Sequence, residues 1–170
     1  REEDVDELLE RVEVHYLANR DPNVQFGLLT DFKDASEEVL EQDEPLLDRL
    51  ERGIAALNAR YPGDGVEPFF FCHRPRRWSD CEQTWMAWER KRGKRAEVNA
   101  LLRGKGQGRF LRTGGEAVNG RIGLPPVAYV LTLDADTRLP RDTVRQLAGS
   151  MDHPLNRPVH DNEGRHVVSG

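Results

Sequence analysis

The sequence is poor in several things, and each shortage excludes something. Two of its 170 residues are cysteine, Cys72 and Cys81. That is too few for a disulfide scaffold and points to a reducing compartment. No window approaches the roughly 18–20 consecutive apolar residues that cross a bilayer, and no apolar stretch near the start has the form of a secretory leader. Positive charge is also short. Twenty-five Lys and Arg stand against 30 Asp and Glu, a formal charge of −5. Bulk charge argues against a basic nucleic-acid module, though it leaves room for a local patch. Hydrophobic residues make up 37% against 32% charged, so a core must be drawn from a few concentrated runs.

Those runs are easily found. Val5, Leu8, Leu9 and Val12 recur at helical spacing within residues 2–13. Asn19 to Asn23 is turn chemistry, and Val24 to Thr30 reads as a buried strand that stops at Asp31. Residues 33–42 are polar and loop-like. Leu46, Leu47, Leu50, Ile54 and Leu57 predict a helix from Asp43 to Arg60, with Pro45 near its start, where a missing N–H costs little. Phe69 to Cys72 is a short strong strand. Trp85 to Arg95 commits to no one period, and Ala96 to Leu102 is helical. Residues 104–123 hold seven glycines and read as a long loop, a candidate gate over a ligand. Val127 to Leu133 is the best strand in the sequence, and Pro140 to Met151 an amphipathic helix. Strands alternating with helices predict an α/β fold, a mostly parallel sheet flanked by helices, in one domain over residues 1–170. The opening reads as helix and the close as a strand just begun, so we expect a fragment of a fuller domain.

In an open parallel sheet, ligands bind beyond the carboxyl ends of the strands. Three strands here end in something polar. The first delivers Asp31, and the second a basic segment with Arg74, Arg76 and Arg77. The third delivers Asp134-Ala135-Asp136. Two carboxylates one residue apart suit Mg²⁺ or Mn²⁺, hard ions that take one or two protein carboxylates and fill the rest with phosphate and water. The competing reading is a solvated turn in which Asp136 or Thr137 caps the following helix. Guanidinium forks suit phosphate oxygens, whereas a generic charge run is a solvated face. Asp31 is a hydrogen-bond acceptor for a base or ribose, or else a turn residue. Trp78, Trp85 and Trp88 interleave with the cations and are either stacking platforms or core. Cys72, His73 and Cys81 fit no common zinc spacing.

Several segments occur together in one order: Leu28-Leu29-Thr30-Asp31-Phe32, Phe71-Cys72-His73-Arg74-Pro75-Arg76-Arg77-Trp78, and Trp88-Glu89-Arg90-Lys91-Arg92-Gly93-Lys94. Leu133 to Arg141 and His153 to Pro158 follow. As a set they resemble the glycosyltransferase region of cyclic β-1,2-glucan synthases of the NdvB type. Lys91 to Leu101 ahead of the Asp-Ala-Asp strand is similar, more loosely, to processive family 2 glycosyltransferases. The resemblance implies a GT-A-like (Rossmann-like) fold, a UDP-glucose donor, Mg²⁺ or Mn²⁺, a β-1,2-glucan acceptor and inverting transfer. It implies that Asp31 lies near the uracil, Lys94 near the diphosphate, and Asp134 at the ribose and the metal. Asp136 ligates the metal directly. The catalytic base is expected downstream of Gly170. Membrane contact, at the cytoplasmic face of a bacterial inner membrane, is expected only through other parts of the parent protein, and this segment is expected to be soluble. The alternative is a non-catalytic nucleotide-sugar or carbohydrate-binding module, and an open sheet edge raises self-association.

Overall fold

The structure, a computed structural model, describes residues 2–63, 65–105, 108–115, 127–156, 159–160 and 167–169. It is built around one central strand. Helix α1 (Glu2–Ala18) leads to strand β1 (Phe26–Asp31), then helix α2 (Asp43–Arg60) and strand β2 (Phe69–Arg74). Strands β3 (Arg77–Ser79) and β4 (Thr84–Met86) form a hairpin before helix α3 (Arg90–Leu102) and strand β5 (Arg112–Gly114). Helix α4 (Thr143–Asp152), a 3₁₀ turn (Pro154–Asn156) and a small β6–β7 hairpin (Val159–His160 with Val167–Ser169) follow.

The main sheet runs β1-β2-β5. Strand β2 pairs β1 in parallel, Phe26 opposite Phe69 and Asp31 opposite Arg74, and pairs β5 antiparallel. The architecture is therefore α/β with a small mixed sheet, not the mostly parallel one expected. The antiparallel member comes from within the glycine-rich stretch. There Arg112, Thr113 and Gly114 match His73, Cys72 and Phe71, and Gly114 lies where a Cβ would meet the Phe71 ring at 2.3 Å. A stretch poor in apolar residues thus becomes an edge strand because its glycine lets it lie over a phenylalanine. Residues 106–107 and 116–123 of the expected gating loop lie outside the described residues.

The core follows from the helical stripes. Val12 and Tyr16 of α1 and Leu50, Ile54 and Leu57 of α2 pack on Phe26, Phe69 and Phe71. Tyr16 sits 4.9 Å from Phe69 and 5.7 Å from Phe26, ring centre to ring centre. The first helix runs five residues beyond its expected end, which brings Tyr16 into that cluster. Helix α2 keeps the bounds its periodicity predicts, with Asp43 and Glu44 in its first turn and Arg60 in its last, each favourable to the helix dipole. Buried Asn58 closes the layer. Its amide donates to the Phe69 carbonyl at 2.9 Å and accepts from the Phe69 N–H at 3.0 Å.

Two expectations fail near the C-terminal third. Val127 to Leu133, the run with the strongest strand character, forms no ladder among the described residues and is exposed throughout. Alternating apolar residues fit a strand only where an edge is presented to them. Here the following turn is drawn to helices instead. Thr137 N–H closes on the Asp134 carbonyl at 3.0 Å, and Arg11 of α1 donates to the Ala135 carbonyl. Nor is α4 capped by Asp136 or Thr137. Buried Asn19, just after α1, accepts the Val144 N–H and donates to the Pro140 carbonyl, both at 3.1 Å, while Ala18 accepts the Asp142 N–H. The cap comes from the far end of the sequence.

Replacing Asn58 by Leu leaves both Phe69 backbone groups buried without partners. At about 1–3 kcal/mol for each orphaned group, we expect a loss of roughly 2–6 kcal/mol, read as a lower urea midpoint with an unchanged slope.

Candidate functional site

The carboxyl ends of β1 and β2 carry Asp31 and Arg74 in register. Arg74 Nε donates to Asp31 Oδ1 at 2.7 Å and Nη2 to Oδ2 at 3.2 Å, a two-pronged pair. Nη1 reaches Glu97 of α3 at 3.2 Å and the Trp88 carbonyl at 2.9 Å, and Nη2 reaches the Arg90 carbonyl at 3.0 Å. All five N–H donors of the guanidinium are thereby engaged. Burial works against the charge, yet the bonds from Asp31 and Glu97 outweigh it and raise the Arg74 pKa. Arg74 is a buried tie between two strands and a helix, not a phosphate ligand.

Arg76 is spent in the same way. Its guanidinium pairs with buried Asp43 at the head of α2, donates to the Lys33 and Glu38 carbonyls, and lies 4.6 Å from the Phe32 ring centre. Burial pushes the Asp43 carboxyl up, and the bonds from Arg76 and the Leu40 N–H more than reverse it. The polar loop 33–42 is pinned through this residue. Of Arg74, Arg76 and Arg77, Arg77 alone remains half exposed.

Further outward-facing cations lie on α3. Lys91, Lys94 and Arg95 stand at i, i+3 and i+4, so they share one helix face. Lys94 Nζ lies 2.7 Å from Asp31 and donates to the Leu29 carbonyl at 3.0 Å. Lys91 Nζ lies 3.1 Å and Arg95 Nη2 3.7 Å from the same Asp134 oxygen. The face therefore gathers three residues from distant parts of the sequence, Asp31, Lys94 and Asp134. Asp136 follows in the same exposed turn and has no hydrogen bond or ion pair to another described residue. Gly93 lets the helix seat. A Cβ there would fall 2.2 Å from the Trp88 carbonyl oxygen.

The donor set tests the metal reading. Asp134 and Asp136 offer carboxylate oxygens only, the chemistry of a hard divalent cation. Among the described residues no group of three or more His, Cys, Asp or Glu gathers as a metal cage. An ion here would take two carboxylates and complete its shell from a ligand and water, as Mg²⁺ commonly does.

Comparison with known proteins bears on this face. The chain is similar to a cyclic glucan synthase. It is 46% identical over 166 residues to cyclic β-(1,2)-glucan synthase NdvB of Rhizobium meliloti (strain 1021). The similarity takes in 98% of the chain but 6% of that protein's length. No family model matches. The resemblance read from the motifs is borne out along nearly the whole chain, which is a segment's worth of a much longer synthase. Among the described residues no helix is long and apolar enough to cross a membrane.

Sequence reasoning missed Glu97, Asp43 and Asn19. Nothing in an acid or amide on a polar helix face announces that it will be buried. Their only trace is arginine or turn chemistry far away in the sequence. It missed His73 as well. That imidazole takes part in a 2.8 Å hydrogen bond with Thr30 Oγ1 and lies 4.0 Å from Phe32, its Nε2 buried without a described partner. Burial pushes it down to about 4 from an ordinary 6.5, against the pull of Asp31 and Asp43. Cys72 beside it is pushed up to about 12 by burial, an inert thiol.

Two outcomes follow from these environments. Arg74→Met strands two acids, and breaking a buried pair costs about 3–5 kcal/mol, to be read by chemical denaturation. His73 is neutral when folded and takes a proton more readily when unfolded. Its contribution is complete above pH 6.5 and is lost as pH falls toward about 4. The loss is about 3 kcal/mol at most. Urea midpoints measured across that window should slope in the parent chain and flatten in His73→Phe.

Proposed function

We propose that this chain forms the donor-binding part of a glycosyltransferase that moves glucose from UDP-glucose to a growing β-1,2-glucan. One observation carries the reading: Asp31, Lys94 and Asp134 meet along a single face of α3 beyond the ends of β1 and β2. The sequence similarity to a cyclic glucan synthase supports a role in glucan synthesis.

Each residue has a task its chemistry allows. Asp31, fixed by Arg74 and still partly exposed, accepts a hydrogen bond from the uracil or ribose. Lys94 uses two of its three N–H donors on Asp31 and the Leu29 carbonyl, and turns the third to a diphosphate oxygen. Lys91 and Arg95 hold Asp134 while no donor is present and add positive charge beside the phosphates when it arrives. Asp134 and Asp136 would hold Mg²⁺ or Mn²⁺, which offsets diphosphate charge and stabilises the departing nucleotide. Inversion at the anomeric carbon needs a proton acceptor for the sugar hydroxyl, and no residue of this chain is assigned that task.

Calorimetry of the chain with UDP and Mn²⁺ tests the reading. Binding should need the metal, favour uridine over other nucleosides and fall at least about tenfold in Asp136→Ala, a loss of about 1.4 kcal/mol. The same substitution in the full-length synthase should abolish glucan synthesis. Undiminished synthesis would return the chain to a non-catalytic binding module.

A further inference from the structure

A cleft of about 400 Å³ opens beside the α3 face, lined by Arg77, Trp78, Met86, Trp88, Glu82 and Arg90 among others. We propose that it binds a neutral sugar chain, separately from the nucleotide. The geometry points to this through its walls and its charge. Trp78 and Trp88 are two large indoles left 45% and 43% exposed, while Met86 forms a buried floor. Trp78 is held in place by the edge of Trp85, 5.9 Å between ring centres, and by its N–H on Asp80 at 3.0 Å. An exposed indole whose polar end is already bonded offers its flat face, the surface on which the C–H side of a pyranose ring lies.

Charge separates a sugar from a nucleotide. Arg77 and Arg90 bring two positive charges to the lining, and Glu82 and Glu89 bring two negative ones. Arg90 is already paired with Glu82 and with Asp34, each at 3.0 Å. A phosphate entering here would meet two carboxylates and no uncommitted net charge. A hydroxylated, uncharged ligand meets acceptors and donors together, as sugar hydroxyls require. The backbone supports a built site as well. Gln83, Glu89 and Arg90 hold positive φ of 51°, 46° and 44° on the two segments that frame the cleft. Such strain persists only where surroundings fix it.

Choosing glucan as the probe rests on the function proposed above, whereas the cleft itself does not. All three tryptophans of the chain lie in or against it, so intrinsic fluorescence reports its occupation. β-1,2-Linked gluco-oligosaccharides added to the chain should give a saturable change in emission, with UDP and Mn²⁺ failing to compete. In calorimetry Trp88→Ala should weaken the oligosaccharide at least about tenfold, and Glu89→Gln should weaken it less while leaving thermal unfolding unchanged. Asp136→Ala should leave it intact. A fluorescence change without saturation, equal affinity in both cleft variants, or displacement by UDP would overturn the proposal. Oligosaccharide binding without UDP binding would uphold the cleft and sink the donor reading, and the reverse result would do the opposite.

Discussion

The Arg74 guanidinium is the joint on which the rest of this structure turns. It is the last residue of the central strand, and it spends its five donors on Asp31 of β1, Glu97 of α3 and the carbonyls of Trp88 and Arg90. No apolar side chain could take its place without stranding two carboxylates. Two acids alone could not approach each other there. The charge is costly to bury, but the geometry is near saturation, and that is the condition under which such burial is tolerated. Its product is position more than stability: the strand ends and the basic helix are locked in one relation.

That relation explains why the basic segment divides as it does. Arg74 ends a strand buried on both faces and Arg76 follows it, so both go inward with it and need carboxylates waiting. Lys91, Lys94 and Arg95 follow a helix start, and their spacing turns them together toward Asp31 and Asp134. A run of cations in the sequence is thus two structures of opposite kind. One is interior framework, and the other is a charged face whose partners are the carboxylates of Asp31 and Asp134.

Much of this was legible from the residues, and the illegible part has a common cause. Helix α2 could be read to its bounds because Leu47, Leu50, Ile54 and Leu57 repeat at the helical period around a strand of phenylalanines. Strand-end logic places Asp31 and Arg74 at the ends of β1 and β2, but Asp134 follows no strand and lies against Lys91 and Arg95 of α3 instead. What could not be read was pairing at long range. Val127 to Leu133 has strand chemistry and no ladder, and Asn19 caps a helix more than a hundred residues away. The glycine-rich stretch yields an edge strand through Gly114 lying over Phe71. Period and propensity describe a segment alone. They are silent about which edge or carbonyl will stand opposite.

The same joint ties the β3–β4 hairpin to α3. Glu89 and Arg90 occupy left-handed backbone, a conformation that costs non-glycine residues roughly 1–2 kcal/mol each. Arg74 grips the carbonyls on either side of Glu89, those of Trp88 and Arg90. The turn between hairpin and helix is therefore held open by the residue that also fixes Asp31. On one side of this turn the Trp88 indole forms a wall of the aromatic cleft, and on the other α3 begins its basic face. Any shift in the Asp31–Arg74–Glu97 network must move both. The aromatic cleft and the basic face are thus joined through one guanidinium and two carbonyl oxygens.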